Sequence, residues 1–362
     1  MLMRLMLPVM AGLGMDAAAN AADVATGAAS LSSNVKGFGT PGLQEQVSFF
    51  AYPGFAGGVR VALGDVTGDG VADYVTGAGP GGGPHVKVFD GVSLAEARSF
   101  FAYDAGFTGG IFVAAGDVNH DGTADIVTSS GAGAANGQVK IFDGAGGGEI
   151  RSFTAYPGFG GGARVAAGDL DGDGFADIVT GAGPGGGPHV KVFSGQTGAE
   201  LRSFFAFAPQ FAGGVSVAAG SWGGEQAIFV GAGPGGGPQV KVFRMGDLSE
   251  LASFFAFAPG FTGGVNLAWG VFDGGAALYV AQATGGDTVR VFDARAGAGL
   301  GAQIGAFQPY GPGFPGGIEV AAAPLKNDAV PEPASWALMI AGFGLAGAAL
   351  RTRRTRLYSA AR

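Results

Sequence analysis

What most limits the fold of this chain is an internal repeat of about fifty residues that is cut at its two ends in complementary places. A Gly-led hydrophobic segment opens at Gly58, Gly110, Gly162, Gly214, Gly264 and Gly317, and a Val-rich segment with a basic residue recurs at Lys36, Lys87, Lys140, Lys191, Lys241 and Arg290. Both series have six members, yet the first basic residue precedes the first opening segment, and the last opening segment, 317–323, has no partners after it. One unit, read from Gly57 as GGVRVALGDVTGDGVADYVTGAGPGGGPHVKVFDG and then ARSFFAY, holds four short runs of Val, Phe and small residues separated by Gly, Pro and Asp clusters. Such runs read as strands joined by turns. Residues 23–52 are thus expected to supply the second, third and fourth strands of a unit whose first strand is 317–323.

A ring in which the two chain ends share one sheet uses both remnants and leaves no open edge. The expected fold is all-β: a six-bladed β-propeller of four-stranded blades over residues 23–323, with one blade shared between the N- and C-terminal segments. A linear solenoid would need polar capping units and leaves the divided unit without a purpose. Glycine supplies 74 of 362 residues but shows no Gly-X-Y period, and 47% hydrophobic content is enough for a packed core. Glu45, Glu96, Glu149, Glu200 and Glu250 each stand four residues before a Phe of the outer strand, where charge discourages edge-to-edge pairing. The recurring Lys or Arg is expected to pair with neighbouring acids, the alternative being a basic ring presented to an anionic glycan. The absence of cysteine excludes disulfides, thiolate metal sites and a Cys nucleophile. Outside the C-terminal tail there is no dense basic run, which argues against a nucleic-acid partner.

Three units carry an acidic nonapeptide between their first two strands, at a spacing of 52 residues: DVTGDGVAD at 65–73, DVNHDGTAD at 117–125 and DLDGDGFAD at 169–177. Ten of the 28 acids lie in them, so ion binding would remove much of the net charge of −8. Carboxylates this close repel one another unless a cation neutralises them. Oxygen ligands at positions one, three, five and nine, with a backbone carbonyl at seven, suit Ca2+ rather than zinc. The expected ligands are Asp65, Thr67, Asp69, the Val71 carbonyl and Asp73; Asp117, Asn119, Asp121, the Thr123 carbonyl and Asp125; and Asp169, Asp171, Asp173, the Phe175 carbonyl and Asp177. An EF-hand is excluded at its twelfth position, where Thr76, Thr128 and Thr180 replace a bidentate Glu. Affinity on the order of 10⁻⁴ to 10⁻³ M is expected, tightest in the third loop, which alone has four carboxylates. The alternative is a metal-free Asp-Gly turn. Against it, the fourth and fifth units read SWGGEQ at 221–226 and VFDGG at 271–275, losing acids and two residues of length together.

Other motifs are weaker. GAGPGGGP is followed by no Lys-Ser/Thr and opens no helix, so a nucleotide loop is not expected. His85 and His189 occupy a position held by Gln138, Gln239, Thr288 and Asn34 in the other units, where any polar residue serves.

Residues 1–22 hold one Arg, a Met/Leu-rich run and small residues ending Ala19-Asn20-Ala21, the pattern of a secretory signal peptide. Residues 324–333 form a polar, Pro-rich linker. Seventeen uncharged residues, 334–350, follow and precede Arg351, Arg353, Arg354 and Arg356, as in a short transmembrane helix held with its basic end in the cytoplasm.

The acidic loops resemble those of the FG-GAP/VCBS repeat family, in which a D-x-[DN]-x-D-G-x-x-D segment joins the first two strands of a propeller blade. Gly-Ala-Gly-Pro at 77–80, 181–184 and 231–234 resembles the family's other signature. The resemblance spans residues 23–323 and implies calcium-binding loops. Residues 330–356, with Val330-Pro331-Glu332-Pro333, Ser335-Trp336-Ala337 and Ile340-Ala341-Gly342-Phe343-Gly344, resemble a PEP-CTERM sorting signal. That resemblance implies export in a Gram-negative bacterium, transient anchoring in the inner membrane, processing by a membrane exosortase and release to the surface or exopolysaccharide matrix; a permanent single-pass anchor is the alternative.

The expected function is non-catalytic: an exported, calcium-stabilised propeller that binds extracellular polysaccharide or a surface protein. The competing expectation is a glycan-active hydrolase or lyase on a propeller scaffold. It would require acid and base groups converging on one site, and few acids remain outside the loops and the repeated rim. Matrix filler without a specific ligand is a third reading.

Overall fold

A computed structural model of the chain describes residues 21–133 and 137–325. Most of the expected signal segment 1–22, and the expected helix 334–350 with its sorting signal 330–356, lie outside the described residues. Among the described residues no helix is long and apolar enough to cross a membrane.

Twenty-four strands form six four-stranded antiparallel sheets, each a simple meander from the inside outwards. The inner strands are Val59–Gly64, Ile111–Gly116, Ala163–Gly168, Val215–Trp222, Val265–Phe272 and Ile318–Ala322. Each touches the next around the ring, and the last touches the first. The closing sheet runs Ile318–Ala322, Val24–Ala28, Asn34–Gly39, Gln44–Phe50, so the two chain ends do share a blade. Val24 pairs with Ala322 and Ala28 with Ile318. Two further backbone bonds extend the seam, Ala29 N to Gly317 O at 3.0 Å and Ala323 N to Asp23 O at 2.8 Å. Val24 and Ile318 are fully buried there, each contributing roughly 1.5–3 kcal/mol by leaving water.

Position in the ring dictates composition. The second strands Asp73–Ala78, Asp125–Ser130 and Asp177–Ala182 are buried along their whole length, because each lies between neighbouring blades on both faces. Outer strands such as Glu96–Phe101 alternate with solvent instead. Val75, Val86, Val88, Ile111 and Ile126 belong to one apolar cluster that joins the first blade to the second. Where blades converge, side chains must shrink: a Cβ on Gly27 would lie 2.5 Å from the Val59 carbonyl oxygen, and one on Gly77 would lie 2.9 Å from Ile111 Cγ1.

Tyrosines stitch successive blades. Tyr52 donates to the His85 carbonyl at 2.8 Å, Tyr103 to the Gln138 carbonyl at 2.9 Å and Tyr156 to the His189 carbonyl at 3.1 Å. Burial pushes all three phenols well above the ordinary tyrosine range. At the rim, Lys36, Lys87, Lys140, Lys191 and Lys241 pair with Glu45, Glu96, Glu149, Glu200 and Glu250 at 2.6 to 2.8 Å. In the fifth blade Gln303 occupies the outer strand, and Arg290 donates to the Ala256 carbonyl at 2.9 Å. Five of the six basic residues are therefore neutralised by rim glutamates, and the sixth, Arg290, is bonded to backbone, so the series does not form an open positive ring.

Candidate metal centre

The three nonapeptides fold alike because each begins with an Asp whose carboxylate caps the turn that follows. Asp65 accepts the amides of Gly68, Asp69 and Gly70 at 2.7, 3.0 and 2.7 Å. Asp117 accepts those of Asp121 and Gly122, and Asp169 those of Gly172 and Gly174. Position four lies in the left-handed region in every loop, with φ of +76° at Gly68, +62° at His120 and +81° at Gly172. Histidine is one of the few side chains that tolerate this conformation, and His120 has a task there: its Nδ1 lies 2.7 Å from the Gly174 carbonyl, so it donates across to the next loop. Its ring sits 5.2 Å from that of Phe175.

Backbone bonds tie the loops into one acidic rim at one end of the ring. The Ala124 amide donates to the Asp65 carbonyl and the Ala176 amide to the Asp117 carbonyl, both at 2.7 Å. In the fourth and fifth blades the same strands continue into two-residue hairpins, Gly223-Gly224 and Asp273-Gly274, all four residues with positive φ. This is the turn geometry that suits twisted antiparallel strands. The shorter sequence there thus gives longer strands and no room for a nine-residue loop.

Position nine differs from the rest. Asp73, Asp125 and Asp177 are wholly buried at the start of the second strand. Asp73 accepts the Val66 and Thr67 amides at 2.8 Å each and the Gly91 amide at 2.9 Å. Asp125 takes those of Val118, Asn119 and Gly144, and Asp177 those of Leu170 and Gly195. Burial raises all three carboxyls, Asp125 and Asp177 to about 6, against the pull of these amides. Each such aspartate links the acidic loop to the turn between the third and fourth strands, a structural bond that its place in the nonapeptide does not reveal.

Among the described residues the third loop alone brings three carboxylates to one focus. One oxygen each of Asp169, Asp171 and Asp177 lies within 4.8 Å of the others, spanning half-buried, exposed and buried positions. Burial and the charges of Asp173 and Asp169 raise Asp171, the mutual repulsion that a cation would relieve. Asp173 is not one of the three, but its side chain meets that of Asp171, and it accepts the Phe175 amide at 2.9 Å. In the first loop Asp69 turns to the Val71 amide, and in the second Asp121 to the Thr123 amide and hydroxyl. Thr67 and Asn119 are engaged within their own loops: the Thr67 hydroxyl faces Asp73 at 3.5 Å, and Asn119 Nδ2 donates to Asp121 at 3.0 Å. The Asp169, Asp171 and Asp177 set, all hard oxygen, fits a divalent cation of the calcium type.

Against known proteins, residues 117–180 match the FG-GAP-like repeat and residues 329–354 the PEP-CTERM protein-sorting motif. The first of these matches spans the second and third loops. A crystal structure of a protein of unknown function from Bacteroides caccae shares the fold, with a TM-score of 0.53 and 10% identity over 84% of this chain and 99% of that one. A crystal structure of Raptor from Chaetomium thermophilum matches with a TM-score of 0.49 and 14% identity over 77% of this chain. The chain spans 23% of the length of that Raptor. Repeat, loop and ring agree with the matched segments: the chain is a six-bladed β-propeller that carries an FG-GAP-like repeat and a PEP-CTERM sorting motif, the mark of a protein exported to the envelope of a Gram-negative bacterium.

Proposed function

We propose that this protein is an exported, calcium-binding propeller that works without catalysis, as a binding or structural component of the cell surface or extracellular matrix. The observation that carries the reading is the convergence of Asp169, Asp171 and Asp177 at an accessible loop, in a chain that carries a PEP-CTERM sorting motif; export would deliver it to where calcium is abundant. Calcium would be a structural ion here, offsetting the repulsion of the acidic rim and stiffening loops that are bonded to one another.

A surface for ligands is supported on the opposite side of the sheet meander. Phe50, Phe101, Phe205 and Phe255 are 53 to 59% exposed at the ends of outer strands. Beside two of them stand histidines, with His85 to Phe101 at 5.0 Å and His189 to Phe205 at 4.7 Å between ring centres. A cavity of about 500 Å³ adjoins Phe205, Phe211 and Gln239, and one of about 300 Å³ adjoins Tyr156, Phe159 and His189. Aromatic faces next to hydrogen-bonding side chains suit the apolar faces and hydroxyls of a polysaccharide.

The test pairs two measurements on the exported protein. Calcium should raise the melting midpoint, by an amount equivalent to about 2.7 kcal/mol at one hundred times its Kd, and the gain should vanish on Asp171→Ala. Matrix polysaccharide should be retained by the protein without being cut. Turnover of the polysaccharide would replace the reading with that of a glycan-active enzyme, and a midpoint indifferent to calcium would remove the ion from it.

A further inference from the structure

The central channel holds a group of charges at the end away from the acidic loops. Each inner strand starts at that end and finishes in a loop or hairpin at the other. The second residue of each inner strand, in ring order Glu319, Arg60, Phe112, Arg164, Ser216 and Asn266, lines one cavity of about 50 Å³. Deeper in, the channel is lined by alanine and aliphatic side chains and by Trp269.

Arg60 is satisfied. Its Nε lies 3.2 Å from Glu319 Oε1, and its Nη1 donates to the Ala29 carbonyl at 3.2 Å. Arg164 is not: its Nε and Nη1 are closed off from solvent and have no hydrogen-bond partner. The Phe112 ring separates the two guanidinium groups, 5.0 Å from Arg60 and 5.4 Å from Arg164. Ser216 donates inward to the Val265 carbonyl at 2.6 Å, and Asn266 Nδ2 to the Ile318 carbonyl at 2.9 Å. Burial pulls the Arg164 guanidinium below its ordinary value, Glu319 opposing that pull and Arg60 adding to it. A buried guanidinium with idle N–H groups is costly unless an acceptor meets it. The charged groups facing the cavity leave one net positive charge.

We infer that this mouth of the channel is a receptor for one carboxylate group, met by Arg164 with the planar pair of N–H donors that a guanidinium offers a carboxylate. The net charge matches a monoanion, and the small cavity admits the carboxylate itself, leaving whatever carries it outside the mouth. Arg164 as a whole is only half-buried and lines the cavity, and Arg60 and Glu319 keep 13% and 15% side-chain exposure, so the group approaches from solvent and a small turn of the guanidinium brings its idle N–H groups to it. It belongs either to a small free acid or to the end residue of an acidic glycan. The inference does not rest on the function proposed above, since it uses no residue of the acidic loops.

Calorimetric titration of the full chain tests it, with acetate, glucuronate and neutral acetamide as probes at constant ionic strength. Saturable one-to-one binding of acetate alone identifies a free acid, and binding of glucuronate identifies a sugar acid; acetamide should not bind. Arg164→Met should weaken the acid at least about tenfold while leaving the melting midpoint unchanged or raised, because an uncompensated buried charge is gone. Glu319→Gln should tighten it about tenfold, since a competing carboxylate is removed and Arg60 is freed. That second variant decides the matter even where Arg164→Met fails to fold. Equal binding of acetamide, no saturation by either acid, unchanged affinity in folded Arg164→Met, or weaker binding in Glu319→Gln would each overturn the assignment.

Discussion

Replacing Asp73 by Ala is expected to destabilise the propeller whether or not metal is present. The carboxylate is fully buried, and its oxygens accept the amides of Val66, Thr67 and Gly91 at 2.8 to 2.9 Å. Thr67 is exposed, so water can take its amide, but Val66 and Gly91 are buried and would be orphaned. At about 1–3 kcal/mol for each orphaned buried donor, the loss is roughly 2–6 kcal/mol. Burial raises the Asp73 carboxyl, so part of its favourable bonding already offsets desolvation. Alanine escapes that penalty, which places the expected loss at roughly 2–4 kcal/mol. Asp73→Asn keeps one carbonyl oxygen and turns an amino group towards the other amides, so roughly 1–2 kcal/mol is expected. The assay is urea unfolding followed by tryptophan fluorescence, in chelator and in excess calcium. Asp171→Ala is the counterpart: exposed, and accepting the Asp173 amide at 3.2 Å, it should stay within about 0.5 kcal/mol of the parent in chelator. Its loss should appear only when calcium is added. If Asp73→Ala matches the parent protein in chelator, the reading of position nine as a structural bond is wrong and the residue is a metal ligand alone.

Three further outcomes follow from the geometry. Gly27→Val, which would press a side chain against the Val59 carbonyl at the closing seam, should lower stability by roughly 1–3 kcal/mol in a thermal melt; an unchanged midpoint would mean that the blades separate freely there. Ending the chain at Gly317 removes Ile318–Ala322 and bares the buried strand Val24–Ala28, so light scattering should show concentration-dependent association, and a soluble monomer would contradict the closure argument. Burial and the neighbouring lysines hold His85 and His189 below the ordinary imidazole value of 6.5; the unfolded chain then takes up these protons first, so stability is lost as pH falls through 6.5 towards the folded values. Ring-proton NMR titrations with midpoints at or above 6.5 would refute it.

The ring was legible because a repeat that begins in mid-unit has few ways to end. The six basic residues and six opening segments, displaced against each other, require the strand order seen in the closing sheet. The loss of the acidic loop at 221–226 and 271–275 was legible too, and the structure closes the gap with hairpins at Gly223-Gly224 and Asp273-Gly274. The interior of the loops was not. Asp173, Asp69 and Asp121 occupy the same position in the pattern, yet each is drawn to a backbone amide two residues on, a local competition that spacing does not record. Position nine reads as a ligand in sequence, because a carboxylate beginning a strand looks the same whether it faces an ion or buried amides. His120 carried a usable signal: it stands where the other two loops have glycine in a left-handed conformation, and a side chain kept there has something to hold.

The channel is not legible in the sequence for a related reason. Positions that face their own copies around a ring can repeat only if six equal side chains tolerate one another. Alanine does, and Ala62, Ala114, Ala166, Ala218, Ala268 and Ala321 all line the narrow part. Six arginines or six glutamates would repel at the axis in a medium that screens poorly. Two residues earlier in each inner strand the repeat therefore breaks into six different environments, and the charges that remain are arranged by the break. Arg60 is set against Glu319, Phe112 spaces the guanidinium groups, and Ser216 and Asn266 turn their donors to backbone. Packing alone gives no reason to keep Arg164 in such a place, because a methionine would fill it without a charge to satisfy. In a chain this repetitive, the position at which the copies disagree while remaining buried is where a function separate from the scaffold has to be sought.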